Sequence, residues 1–242
     1  MGKAGASARV TEEWLRRVEA EYQSTAAAAT MALWLVQIGA SPDLVKDALR
    51  IAREELGHST LSHRVYVAAG GKAGLALDRG ALTLPTSACE PLEHDVARLC
   101  VDMFCLGETV AVRLFKELRQ RCDVPVARRA LDRILRDEVG HREFGWTLLG
   151  WLLDHPGLGP GIRALVVREL PASFGRLRAL YGADANRTET ALPREDARWG
   201  LMPAARYVDL LQATLDRDYV PRFHRLGIDA RTAHLAQAGP RG

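Results

Sequence analysis

Cysteine is scarce in this chain of 242 residues, and the four present, Cys89, Cys100, Cys105 and Cys122, make no Cys-x-x-Cys pair. That spacing excludes a disulfide framework and predicts reduced thiols, as in a cytosol. No apolar run approaches the roughly 20 residues of a membrane-spanning helix. Small polar residues follow Met1-Gly2-Lys3, so no signal-peptide core is expected, and Ala6 stands where a myristoylation motif wants Ser or Thr. A net charge of +3 is too small to argue for a nucleic-acid partner. No stretch reads as a strand of useful length. The expectation is a soluble, cytoplasmic, all-α protein.

What the chain does have is a repeated short motif. Glu54-Glu55-Leu56-Gly57-His58 and Asp137-Glu138-Val139-Gly140-His141 both read acid-Glu-aliphatic-Gly-His. Residues three apart share a helix face, so Glu55 points with His58 and Glu138 with His141. Each motif follows a helix that carries one inward acid. From Trp14, alternate steps of four and three give Val18, Glu21, Thr25, Ala28, Ala32 and Leu35. The same steps give Val101, Phe104, Glu108, Ala111, Phe115 and Leu118. A Glu-x-x-His on two bundle helices and a lone Glu on two others form the ligand set of a carboxylate-bridged two-metal site.

Helix boundaries follow from caps and breakers. Thr11 is the candidate start of the first helix, which stops at Gly39, and Ser41-Pro42-Asp43 opens the second. Glycines and prolines over 68–91 predict a long crossover. A third helix over about 91–120 and a fourth from the Cys122–Pro125 turn to about Leu153 complete two hairpins. Glu21 lies about 18 residues before the first turn and Glu55 about 14 after it, so at ~1.5 Å per residue both stand roughly 21 to 27 Å from that end. Four carboxylates and two imidazoles are thereby predicted at one level. Two further helices are expected over about 160–181, kinked at Pro171, and 202–224. The division is then a bundle over 11–153, a helical extension over 154–230, and flexible tails at 1–10 and 231–242.

Buried glutamates are costly unless paired or metal-bound, and these stripes hold no Arg or Lys. Two divalent cations would neutralise the four carboxylates, and mixed Glu/His ligands suit iron or manganese. Asp137 and Glu54 are candidates to accept a hydrogen bond from the far nitrogen of a ligand histidine on a neighbouring helix. Thr25, Ala28, Ala111 and Phe115 are candidates to line a substrate pocket, with Gly145 a further small residue near the ligands. Gly57 and Gly140 are candidates for close helix approach, and Cys100 and Cys105 read as core.

The set Glu21, Glu55-x-x-His58, Glu108, Glu138-x-x-His141 resembles the ferritin-like di-iron carboxylate superfamily, which includes rubrerythrin, bacterioferritin and bacterial di-iron hydroxylases. The resemblance covers residues 11 to about 153 and implies a ferritin-like four-helix bundle with a long crossover between helices 2 and 3. It implies six iron ligands, with Glu55 and Glu138 bridging, and two Fe ions (Mn/Fe or Mn as alternatives) with dioxygen as co-substrate. The spacing of the glutamates is also similar to that of the tRNA isopentenyladenosine hydroxylase family.

The function so implied is a di-iron oxidase or oxygenase that hydroxylates, desaturates or N-oxygenates a small organic substrate, drawing on an external electron donor. The alternatives are a tRNA-modifying hydroxylase, and an iron-storing ferroxidase or peroxide scavenger. Storage sits poorly with the added C-terminal helices, and peroxide reduction of the rubrerythrin type with the missing Cys-x-x-Cys. Arginines of the last third, Arg163, Arg168, Arg176 and Arg222 among them, read as solvated faces rather than a tRNA patch. No membrane partner is expected, and a homodimer stays open.

Overall fold

The computed structural model describes residues 6–72, 74, 77–181 and 190–237. Every regular element among them is helical, as the apolar periodicities predict. Two compact units are described in turn. One comprises Met1–Pro85, Phe115–Asp137 and Ala191–Pro203; the other comprises Thr86–Leu114, Glu138–Thr190 and Ala204–Gly242.

The first unit is built on a hairpin of α1 (Ala8–Gln37) and α2 (Pro42–Ala68). Helix α1 ends as predicted at Gly39, whose φ of 71° lets the Ala40 N–H turn back to the Leu35 carbonyl at 2.9 Å. It starts earlier than Thr11. Ser7 takes the cap position, accepts from the Val10 N–H at 3.3 Å, and donates its hydroxyl to Asp196 at 2.6 Å. A partner so distant in sequence is invisible to a local cap rule. Ser41 occupies the α2 cap position but makes no side-chain cap bond. On α2 the stripe of Leu44, Ala48, Ile51, Glu55, His58, Ser62 and Val65 is buried throughout. A fully buried Leu or Ile contributes about 1.5–3 kcal/mol, so this seam of aliphatic residues can offset the burial of three polar ones.

Segment 191–203 closes over the start of α1. It includes the short helix α7 (Arg194–Ala197) where a loop is expected over 182–200; residues 182–189 of that loop lie outside the described residues. The Trp14 indole donates to the Trp199 carbonyl at 3.0 Å, and the Arg17 guanidinium to that of Gly200 at 2.8 Å. Arg17 also lies over the Trp14 ring, 4.4 Å from its centroid. Gly200 is required: its φ is 79°, and a Cβ there would stand 2.6 Å from Leu131.

In the second unit the predicted helix over 91–120 is not a uniform α-helix. Helix α3 (Leu92–Leu99) passes into a π-helical stretch, Cys100–Gly107, before α4 (Glu108–Gln120), whose end from Phe115 is counted with the first unit. Helix α5 (Pro125–Asp154) is unbroken, and its second half belongs here. Gly145 allows close approach at this point, because a Cβ on it would meet the Phe104 backbone at 2.5 Å. The Cys100 thiol donates to the Gly145 carbonyl at 3.3 Å.

Helix α6 (Gly159–Leu180) runs on through Pro171. Helix α8 (Ala204–Thr214), a second π-helical stretch at Leu215–Tyr219 and α9 (Val220–Arg225) occupy the predicted 202–224 helix. Residues from 231 on are not simply a flexible tail: α10 spans Ala230–Gln237, started by Asp229, whose carboxylate accepts from the Thr232 N–H at 3.0 Å and its hydroxyl at 2.7 Å. Residues 1–5 and 238–242 of the expected tails lie outside the described residues. Paired Arg–carboxylate bonds fasten the unit: Arg98 to Glu169 at 2.9 and 3.0 Å, and Arg176 to Asp102 at 2.9 and 3.1 Å. No helix among the described residues is long and apolar enough to cross a membrane.

Candidate metal centre

The six predicted ligands are all buried: Glu21 and Glu108 are 6% exposed, Glu138 2%, Glu55 and His58 1%, and His141 0%. Each sits on the apolar seam of its helix, which is why a polar side chain ends in the interior at all. On α1 and α2, the His58 Nδ1 lies 3.6 Å from a Glu55 oxygen and 3.7 Å from a Glu21 oxygen. On α5, the His141 Nδ1 lies 3.7 Å from a Glu138 oxygen. The two Glu-x-x-His motifs therefore present the same atoms at nearly the same separation.

Ligand atoms gather into two groups. In the first unit Glu21, Glu55 and His58 each offer an atom within 4.8 Å of the others, and in the second so do Glu108, Glu138 and His141. Two donors that share one ion at about 2 Å each can be no more than roughly 4 Å apart. Separations of 3.6 and 3.7 Å satisfy that limit. The donor set, carboxylate oxygens and imidazole nitrogens, fits iron or manganese better than a soft-ligand metal.

The electrostatics agree. Burial pushes the Glu21 carboxyl up to about 7, a rise only partly opposed by its interactions with His58 and reinforced by the charge of Glu55. A carboxylate cluster of this kind resists full ionisation unless a cation joins it.

Asp137 stands beside the candidate ligand His58. Its Oδ2 lies 3.1 Å from the Nε2 of His58, the nitrogen turned away from Glu21 and Glu55. Arg133, one turn earlier on α5, donates to the same oxygen at 2.6 Å. Burial raises the Asp137 carboxyl, but the bonds from Arg133 and His58 outweigh it and leave it below its ordinary value. An ionised Asp137 accepts the proton on Nε2 and leaves the Nδ1 lone pair as a ligand. Glu54 accepts from Arg50 on its own helix at 2.7 Å, a pairing the i,i+4 spacing allows.

The Thr25 hydroxyl donates to the Glu21 carbonyl at 2.9 Å, Ala28 is fully buried, and Ala111 and Phe115 are nearly so. Gly145 gives its space to the Phe104 backbone. Gly57 does not serve close helix approach, since a Cβ there would meet open space. Cys100 and Cys105 are core residues, and burial pushes the Cys105 thiol well up. Sequence reasoning missed the π-helical stretch that ends at Gly107 and the bond from the Trp146 indole to the Thr109 hydroxyl, 3.0 Å, beside the candidate ligand Glu108. It also missed Arg133, although the four-residue step to Asp137 was a readable signal.

No family model matches the chain, and no curated protein matches it. Among solved structures, it is similar to a protein from Synechococcus described as having aldehyde deformylating oxidase activity. The TM-score is 0.53 at 18% identity, over 94% of this chain and 95% of that one. At this identity the likeness speaks for the fold, and the all-helical architecture is that of a ferritin-like helical bundle.

Proposed function

We propose that this protein is a dioxygen-dependent di-iron oxidase or oxygenase acting on a small organic substrate. The observation that carries the reading is the pair of buried Glu/His groups, Glu21, Glu55 and His58 in one unit and Glu108, Glu138 and His141 in the other. In this reading Glu21, Glu55, His58, Glu108, Glu138 and His141 would hold two metal ions. The ions, when bound, supply electrons to dioxygen and a Lewis-acidic centre.

The protein does the rest. Asp137, held by Arg133, fixes the His58 ring and keeps its proton on Nε2. The apolar seams exclude water from the carboxylates, which strengthens their hold on a cation. Full reduction of dioxygen takes four electrons and oxidation of one substrate bond returns two, so in that reaction the other two come from a reductant outside the chain. The similarity to a protein with oxidase activity supports an oxidative use of the fold over storage. The arginines of the C-terminal third lend little to a tRNA reading, because Arg176 and Arg222 are matched by Asp102 and Glu143.

Iron-loaded, chemically reduced protein should hold about two metal ions per chain and consume oxygen in proportion to bound iron, then stop. Sustained oxidation of excess ferrous ion with mineral growth would move the assignment to storage. Turnover that depends on undermodified tRNA and is lost at high salt would move it to the RNA-modifying alternative.

A further inference from the structure

The backbone changes register on its way into Glu108. In the π-helical stretch Cys100–Gly107 the bonds run five residues back, and the last of them joins the Glu108 N–H to the Met103 carbonyl. Helix α4 then continues in steps of four, and its first bond takes the carbonyl of Gly107, the residue before its first turn. The carbonyls of Phe104, Cys105 and Leu106 are left to share the N–H groups of Thr109 and Val110, one donor too few. All three of these carbonyl residues are fully buried, so water is a poor substitute for the donor that is lacking.

That donor comes from far along the chain. Tyr219 is fully buried, and its hydroxyl donates to the Leu106 carbonyl at 2.6 Å. Burial pushes the Tyr219 phenol well above its ordinary value, so it stays protonated and keeps donating. The residue closes the second π-helical stretch, Leu215–Tyr219, and its ring meets that of Phe174 at 5.9 Å. Asp218, its neighbour, accepts from the Arg113 guanidinium on α4. Consecutive residues thus hold the chain on either side of Glu108, at Leu106 before it and at Arg113 after it.

We propose that Tyr219 is a positioning residue for Glu108. By supplying the donor that the change of register lacks, it holds the one-residue offset that turns the Glu108 carboxylate into the buried seam with Glu138 and His141. Without that bond the chain recovers a donor for every carbonyl by slipping one residue into a continuous α-helix. Such a slip turns Glu108 by about 100° around the helix axis, off the seam. The consequence for metal binding rests on the reading of Glu108 as a ligand; the hold on the register does not.

The test compares the full chain with two variants. Tyr219→Phe keeps the ring and loses only the hydroxyl. Thr214→Val removes another fully buried hydroxyl from the same part of the chain, one that donates to the Leu210 carbonyl at 2.6 Å and does not touch the stretch before Glu108. In metal-free protein, Tyr219→Phe should speed amide hydrogen exchange across residues 104–110 by about tenfold, as expected for the loss of one buried hydrogen bond, and Thr214→Val should leave it unchanged there. In equilibrium dialysis against manganese, the parent and Thr214→Val should hold about two ions per chain, and Tyr219→Phe should bind one of them at least tenfold more weakly. Unchanged exchange across 104–110 in Tyr219→Phe would overturn the proposal. So would manganese binding equal to the parent's, or an equal weakening by Thr214→Val, since the effect would then be general loss of stability. A parent chain that binds no manganese would refute the metal reading instead, and the exchange rates would still decide whether Tyr219 holds the register.

Discussion

Replacing Asp137 with asparagine separates a positioning role from a structural one. The substitution keeps the shape and an acceptor oxygen 3.1 Å from the His58 Nε2, but removes the charge that holds the ring's proton there. Outer carboxylates on metal-binding histidines are worth about 10–100-fold in metal affinity, or roughly 1.4–2.7 kcal/mol. The other loss is the bond from Arg133, whose side chain is 51% exposed, and an exposed pair of that kind contributes less than about 1 kcal/mol. Asp137→Asn should therefore weaken iron or manganese binding by about one to two orders of magnitude, measured by competition with a chelator. The thermal midpoint of the metal-free protein should fall by only a few degrees. Metal affinity equal to the parent would refute the reasoning. So would a metal-free protein destabilised as much as the loaded one, since Asp137 would then be holding helices together and not a ligand.

Glu138→Ala and His141→Ala should each reduce bound metal from about two ions per chain to one or none, read by elemental analysis. Gly145→Val should lower stability by about 1–3 kcal/mol in denaturant titration, because its Cβ would meet the Phe104 backbone; an unchanged midpoint would show that the close approach can relax. Glu169 has its carboxyl held down at about 2 by the Arg98 bond, against the resistance of partial burial. A depressed carboxyl stabilises the fold above its ordinary value of about 4.3 and loses that contribution as pH falls toward 2. Glu169→Gln should accordingly flatten the fall in stability over that window, by about 1 kcal/mol or less after solvent screening.

The burial of the candidate ligands was legible because it depends on local repetition. A step of three places Glu55 with His58 and Glu138 with His141 whatever the rest of the chain does, and a continuous apolar seam turns that face inward. Asp137 could be read for the same reason, being one residue from Glu138 on a regular helix. The π-helical stretch at Cys100–Gly107 could not. Its wider turns are fixed by neighbours far along the chain, by Tyr219 at the Leu106 carbonyl and by the space at Gly145. Ser7 as a cap depends on Asp196, a residue 189 positions away. Small side chains are ambiguous for a different reason: the same Thr25 or Ala111 leaves room for a substrate or for a neighbouring helix. Here Thr25 turns its hydroxyl to its own helix and Ala111 is packed.

The closure of segment 191–203 over the start of α1 has a consequence for biosynthesis. Trp14 and Arg17 leave the ribosome ahead of their backbone partners at Trp199 and Gly200, which follow 185 and 183 residues later. At about 5–20 residues per second, the interval is roughly 10–40 s. Through that interval an indole and a guanidinium meant for the interior have only solvent and transient neighbours, and the nascent hairpin carries an unfinished end. Ribosome-bound chains halted before residue 199 should expose the α1 start to protease and recruit chaperones there, and chains released after Gly200 should not.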